Sequence, residues 1–160
     1  MTIKIGDKVP EATFVEATDE GPQPRSTSDI FAGKTIAFFA VPGAFTPTCS
    51  AKHLPSFRDA AAEFSAKGVD EIVCTSVNDA FVMGEWGKAA SVEGKIRKLA
   101  DGNGAFAKAM GLELDASGFG MGARSQRYSM LVKDGVIAEL NVEEGGAFEV
   151  SSGDYMLGQI

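Results

Sequence analysis

Hydrophobic residues fall into short blocks separated by glycine and proline, and the blocks keep two different rhythms. Positions 12–17 (ATFVEA) read as a short strand, and 34–41 (KTIAFFAV) make a nearly continuous apolar run of strand length after the turn at Gly33. A run that is apolar at successive positions has no solvated face, so it predicts a central strand covered on both sides. Pro42-Gly43-Ala44-Phe45 breaks the pattern, and Thr46-Pro47 then offers a capping hydroxyl followed by a proline at the first helical position. From there the spacing predicts one helix running to Ala66, with Leu54, Phe57, Ala61 and Phe64 on one face and a stop at Gly68 after Lys67. Further on, 71–77 (EIVCTSV) reads as a second buried strand, 79–90 as a helix, 96–100 as a weak strand and 105–110 as a short helix ended by Gly111. Positions 127–132 and 136–142 flank Lys133-Asp134-Gly135, a hairpin signal, and 154–160 closes as a helix.

Strand, helix, strand, helix, hairpin and final helix, in that order, predict an α/β architecture: a central mixed β-sheet with helices on both faces, which suits a thioredoxin-like fold. No internal repeat or linker interrupts it, and the glycine-rich stretch 118–122 (GFGMG) is too short for a boundary, so 3–160 reads as a single domain. A net charge of −7 and the lack of any basic run argue against a nucleic-acid partner. No stretch approaches the ~20 apolar residues of a membrane span. The first 14 residues alternate charged and apolar positions without the apolar core of an export signal. Two cysteines in such a chain are expected to be reduced thiols, which points to a cytoplasmic location.

With Thr46 as the cap and Pro47 first in the helix, Cys49 falls at the third helical position. There it meets backbone N–H groups that lack intrahelical partners and the positive end of the helix dipole, and both favour thiolate over thiol. Thr46 adds a hydroxyl within one turn of the sulfur, and Pro42 and Phe45 are placed to wall the site from bulk water. The plainer alternative, a cysteine that merely fills the start of a helix, is open on these grounds alone.

The string PGAFTPTC changes that balance. Pro42-x-x-x-Thr46-x-x-Cys49 resembles the active-site motif of peroxiredoxins, and PGAFTPTCSAKHLPSF is similar to the type II, peroxiredoxin-5-like subgroup. Further similar strings are SVNDAFVMGEW (76–86), DGNGAFAKAMGLELD (101–115) and RYSMLVKDGVIAELNVEEGG (127–146), so the likeness extends over nearly the whole chain. The resemblance implies a thiol peroxidase acting on hydrogen peroxide and alkyl hydroperoxides. In it Cys49 is oxidised to a sulfenic acid, Thr46 orients the peroxide, Pro42 shields the sulfur and Arg127 supplies a guanidinium opposite it. Gly43, Phe45, Thr48 and His53 are then expected around the substrate pocket, and Phe45, Phe81, Met83 and Trp86 at a homodimer interface. Arg124 competes with Arg127 on position alone, but Arg127 carries the matching Arg-aromatic-Ser-Met string.

His53, one turn after Cys49, raises the possibility of a Cys–His pair, although a side chain there is expected rather to pack or to donate to backbone. Cys74 lies in the apolar strand 71–77 and reads as an inert core thiol. Some type II members carry a resolving cysteine in the segment that here reads GAFEVSSGDYM, and this chain has none there. The implied cycle uses one cysteine and an external thiol, with glutathione or glutaredoxin the leading reductant and thioredoxin an alternative. A dithiol oxidoreductase is disfavoured because Thr46 stands where a Cys-x-x-Cys motif needs its first cysteine. A peroxide sensor that oxidises once and passes the signal on is the reading from another class. No cofactor is expected, and one histidine with two scattered cysteines makes no metal set.

Overall fold

In a computed structural model, which describes residues 2–160, the apolar blocks become strands at nearly the expected places. In chain order these are β1 (Thr13–Thr18), β2 (Gly21–Ser26), α1 (Thr27–Phe31), β3 (Thr35–Ala40), a π-helical turn (Cys49–His53) running into α2 (Leu54–Arg58), α3 (Ala61–Ala66), β4 (Glu71–Ser76) and α4 (Ala80–Ala89). β5 (Arg97–Ala100), α5 (Ala105–Met110), β6 (Glu113–Asp115), a 3₁₀ turn (Ser117–Phe119), β7 (Ala123–Ser125), β8 (Tyr128–Lys133), β9 (Val136–Val142) and α6 (Gly153–Leu157) complete it. A seven-stranded sheet has the order β2-β1-β5-β4-β3-β8-β9. β3, β4 and β5 run parallel, while β1 and β2 on one side and β8 and β9 on the other join antiparallel. This is the thioredoxin-like arrangement that the sequence implies.

Strand periodicity divides β3 between two cores. Ala37 and Phe39 face one layer with Cys74, Leu54, Phe57, Phe64, Met83 and Trp86, whereas Ile36 and Phe38 face the other with Phe14, Phe31, Val73, Phe106 and Met130. Both faces are therefore covered, which is why β3 reads as an unbroken apolar run. At the β8–β9 hairpin, Asp134 and Gly135 both have positive φ (+48° and +79°), the conformation that matches the twist of the two strands.

Before β4, three features depart from the expected pattern. β2, GPQPRS, carries two prolines yet forms a strand, because it is the outermost one and its missing N–H groups break no internal ladder. α1 begins at a reciprocal cap between Ser26 and Asp29 that the apolar pattern does not mark. The single helix expected to end at Ala66 is divided. It opens at Pro47, widens into the π turn, continues as α2, and resumes as α3 after Asp59 and Ala60. Pro55 accounts for the widening: it has no N–H to give to the fourth carbonyl before it, and its ring crowds that carbonyl. Leu54 N–H instead reaches back five residues to the carbonyl of Cys49. Among the described residues no helix is long and apolar enough to cross a membrane.

Candidate active site

The site is built where β3 ends. Val41 N–H donates to the Thr75 carbonyl and Ala44 N–H to the Asn78 side chain (2.9 Å), so the 42–46 loop is fixed to the carboxyl ends of two parallel strands. Phe45 turns the chain at φ +64°, a left-handed conformation that costs a non-glycine residue about 1–3 kcal/mol and persists only where its surroundings impose it. The turn delivers the Thr46 carbonyl to Ser50 N–H (2.9 Å), the first helical bond, with Cys49 in the first turn as expected. The Thr46 hydroxyl donates to the Gly43 carbonyl at 2.7 Å. It is thus a committed donor, although it lies within one turn of the sulfur, and its lone pairs are left to accept. Gly43 is buried, and a Cβ there would meet Met121 Cε at 3.1 Å, Arg124 Nη1 at 3.2 Å and Thr46 Cγ2 at 3.2 Å. The 121–124 segment lies against the loop at this point. Arg124 braces it, donating from Nε to the Met121 carbonyl (2.9 Å) and from Nη1 to the Pro42 carbonyl (3.4 Å).

Arg127, immediately before β8, is the arginine that meets the sulfur: its Nη2 donates to Cys49 Sγ at 3.0 Å. Cys49 has no exposed surface and Arg127 is only 8% exposed. Among the described residues Arg127 forms no ion pair with a carboxylate. Its Nη1 donates to His53 Nδ1 (2.9 Å), and its Cζ lies 5.9 Å from the centre of the Phe148 ring. His53 Nε2–H donates in turn to the Ser151 carbonyl (2.9 Å), which fixes the neutral tautomer with the lone pair on Nδ1. Its ring is enclosed by Phe39, Phe148 and Phe57, with centroids 4.8, 5.0 and 5.8 Å away. Burial, and after it the Arg127 guanidinium, bring His53 down to about 3. Arg127 thus stands between Cys49 and His53, so His53 holds the guanidinium and does not pair with the sulfur.

Cys74 lies on β4 opposite Phe39 in the first core, fully buried, and burial pushes its thiol well up. Among the described residues no three His, Cys, Asp or Glu side chains are grouped to hold a metal ion.

The profile of the redoxin family matches residues 4–157. The chain belongs to the peroxiredoxins of type II. Peroxiredoxin-2B of Arabidopsis thaliana is 47% identical over 157 residues, covering 97% of this chain and 96% of that protein. Reduced Prx3 of Vibrio vulnificus in complex with hydrogen peroxide superposes with a TM-score of 0.95 at 49% identity, covering 99% of each chain. Peroxiredoxin 5 of Alvinella pompejana superposes with a TM-score of 0.85 at 37% identity, covering 97% of this chain and 96% of that one.

In this peroxiredoxin Arg127 contacts both Cys49 and His53, Thr46 and Gly43 share the adjoining turn, and Pro42 and Thr48 are half-buried. Two expected interface residues belong elsewhere. Met83 and Trp86 are each 1% exposed within the chain's own core, where Met83 Sδ accepts from Ser76 Oγ (3.1 Å) and Trp86 Nε1 donates to Ser50 Oγ (2.9 Å). α4 turns those two side chains inward and Phe81, 70% exposed, outward. Phe45 is 55% exposed, so within one chain it does not close the pocket. Phe148, Ser151 and Glu143 complete the site, and sequence reasoning missed all three. The only signal for Phe148 and Ser151 is the absence of cysteine between Ala147 and Met156, which marks the segment without giving it a role, and Glu143, before that segment, has none.

Proposed function

We propose that this peroxiredoxin, a thiol peroxidase, reduces hydrogen peroxide and alkyl hydroperoxides through Cys49. The observation that carries the reading is the 3.0 Å contact between Arg127 Nη2 and Cys49 Sγ in a buried site where, among the described residues, the guanidinium has no carboxylate partner. A buried cation needs a counter-charge, and a Cys49 thiolate supplies it. The sulfur attacks the terminal oxygen of the hydroperoxide. An S–O bond forms, the O–O bond breaks, Cys49 becomes a sulfenic acid, and the alkoxide or hydroxide leaves and takes a proton from solvent. Thr46, whose hydroxyl proton is given to the Gly43 carbonyl, accepts the peroxide O–H and aligns it. Arg127 stabilises charge passing onto the oxygens. In this reading Pro42 shields the sulfur and Thr48 lines the pocket.

Two equivalents of external thiol then return the sulfenic acid to thiol, releasing a disulfide and water. Glutathione, alone or through glutaredoxin, fits a chain with no cysteine in the segment 146–156 and with Cys74 sealed in the core. We place Phe45 and Phe81, exposed near the site loop, at a homodimer contact.

The deciding experiment measures steady-state peroxide consumption with glutathione and glutaredoxin. Cys49→Ser is expected to abolish turnover and Cys74→Ser to retain most of it. A folded Cys74→Ser protein as inactive as Cys49→Ser would sink the one-cysteine cycle, and a single stoichiometric oxidation without turnover, with thioredoxin supplied as well, would make the chain a sensor.

A further inference from the structure

We propose that Glu143 is a positioning residue for the peroxide site, acting through residues 149–151, His53 and Arg127 on Cys49. The proposal rests on the reading of Cys49 given above. Glu143 follows the last residue of β9 and is buried. Its Oε2 alone takes four donors: Glu149 N–H at 2.7 Å, Val150 N–H at 3.0 Å, Ser151 N–H at 2.9 Å and the Ser151 hydroxyl at 2.6 Å. Three consecutive N–H groups converging on one anion form a nest, which folds the chain after β9 back on itself. Ser151 thereby gives both its donors to Glu143 and keeps its carbonyl for His53 Nε2–H (2.9 Å). That bond puts the imidazole lone pair on Nδ1, where Arg127 Nη1 donates to it (2.9 Å), and the same guanidinium presents Nη2 to the sulfur (3.0 Å).

Arg127 is also held from its other end, because Glu143 N–H donates to the Arg127 carbonyl at 2.9 Å. Phe148 lies in the segment so folded and packs against both the guanidinium and the imidazole. A carboxylate in direct contact with Arg127 would neutralise it and compete with the sulfur. Relayed through a backbone carbonyl and an uncharged imidazole, Glu143 transmits position without cancelling the charge that Cys49 uses.

His53 is the only histidine of the chain, so in tag-free, ¹⁵N-labelled protein its ring nitrogens give an unambiguous signal. Wild type is expected to show the Nε2–H tautomer with no titration between pH 5 and 8. In Glu143→Ala the ring signals are expected to move and to titrate in that range, and the rate constant for oxidation by hydrogen peroxide to fall about tenfold to a hundredfold. Glu143→Gln, which keeps an acceptor oxygen in the nest, is expected to hold the ring signals and to restore the rate to within about threefold of wild type. Should the alanine variant not fold, Ser151→Ala removes only the hydroxyl donor and is expected to shift the ring signals and slow oxidation about threefold. Unchanged ring signals and rate in a folded variant, even with a lowered melting temperature, would overturn the proposal. So would a glutamine no better than alanine. A wild-type protein inert to peroxide would instead overturn the reading of Cys49, and the ring signals would still decide whether Glu143 sets the imidazole.

Discussion

Arg127 carries its charge into the interior with a sulfur, an imidazole lone pair and the face of Phe148 as neighbours. A guanidinium held this way needs no reorganisation when charge moves onto a peroxide, so its main effect is expected on the barrier. Arg127→Gln should lower the plateau rate constant at high pH by ~10²–10³-fold. The rate constants for both proteins across pH give the plateaus directly, and equal plateaus would place Arg127 outside the transition state. His53 has the opposite charge history: its folded value of about 3 lies below the ordinary 6.5. The stability it contributes as a neutral group is therefore fully present above pH 6.5 and is lost as pH falls toward 3. Between pH 6.5 and pH 5 that amounts to roughly 1–2 kcal/mol. Urea unfolding at the two pH values should show that loss in wild type and a smaller one in His53→Gln. At this scale the sequence makes the meeting of Cys49 and Arg127 legible, because each stands in a specific string of its own, PGAFTPTC and RYSM. It does not reveal Glu143, since a carboxylate that folds the chain back on 149–151 has no local signature, and it misassigns Met83 and Trp86, since an apolar residue beside a pocket does not state which side of its helix faces inward.

The helix after Cys49 depends on a defect. Pro55 denies it one backbone donor, the turn before it widens, and Cys49 and His53 both point inward from the widened turn. α6 then packs directly on α2: a Cβ on Gly153 would meet the Ser56 carbonyl oxygen at 2.5 Å, while Gly153 N–H donates to Ser56 Oγ at 3.0 Å. Gly153→Ala is accordingly expected to destabilise the protein by about 1–3 kcal/mol, read as a lower urea midpoint with unchanged slope. An unchanged midpoint would mean that α6 moves freely and does not anchor Ser151. Apolar runs and turn residues make β3, β4, the Asp134-Gly135 hairpin and α5 legible. β2 and the division of the helix are not legible, because whether a proline ends, edges or widens an element depends on what packs beside it.

A seven-stranded sheet with a core on each face, beside a two-stranded sheet of β6 and β7, organises the described residues, and the reacting groups sit at the edge of one core. Phe45 and Phe81, both exposed, are the aromatics that the proposed homodimer covers. Sedimentation at micromolar concentration is expected to give twice the chain mass, and Phe81→Asp to give the chain mass with the fold intact. A monomeric wild type would remove the dimer from the proposal. The contact between Trp86 Nε1 and Ser50 Oγ has a consequence of another kind. Trp86 is the only tryptophan, and the hydroxyl it touches belongs to the residue after Cys49. Any rearrangement of the first helical turn when the sulfur gains an oxygen must alter the surroundings of the indole. The protein thus carries a native optical reporter one residue from its reacting atom, and each oxidation and reduction can be followed by emission in the unlabelled chain.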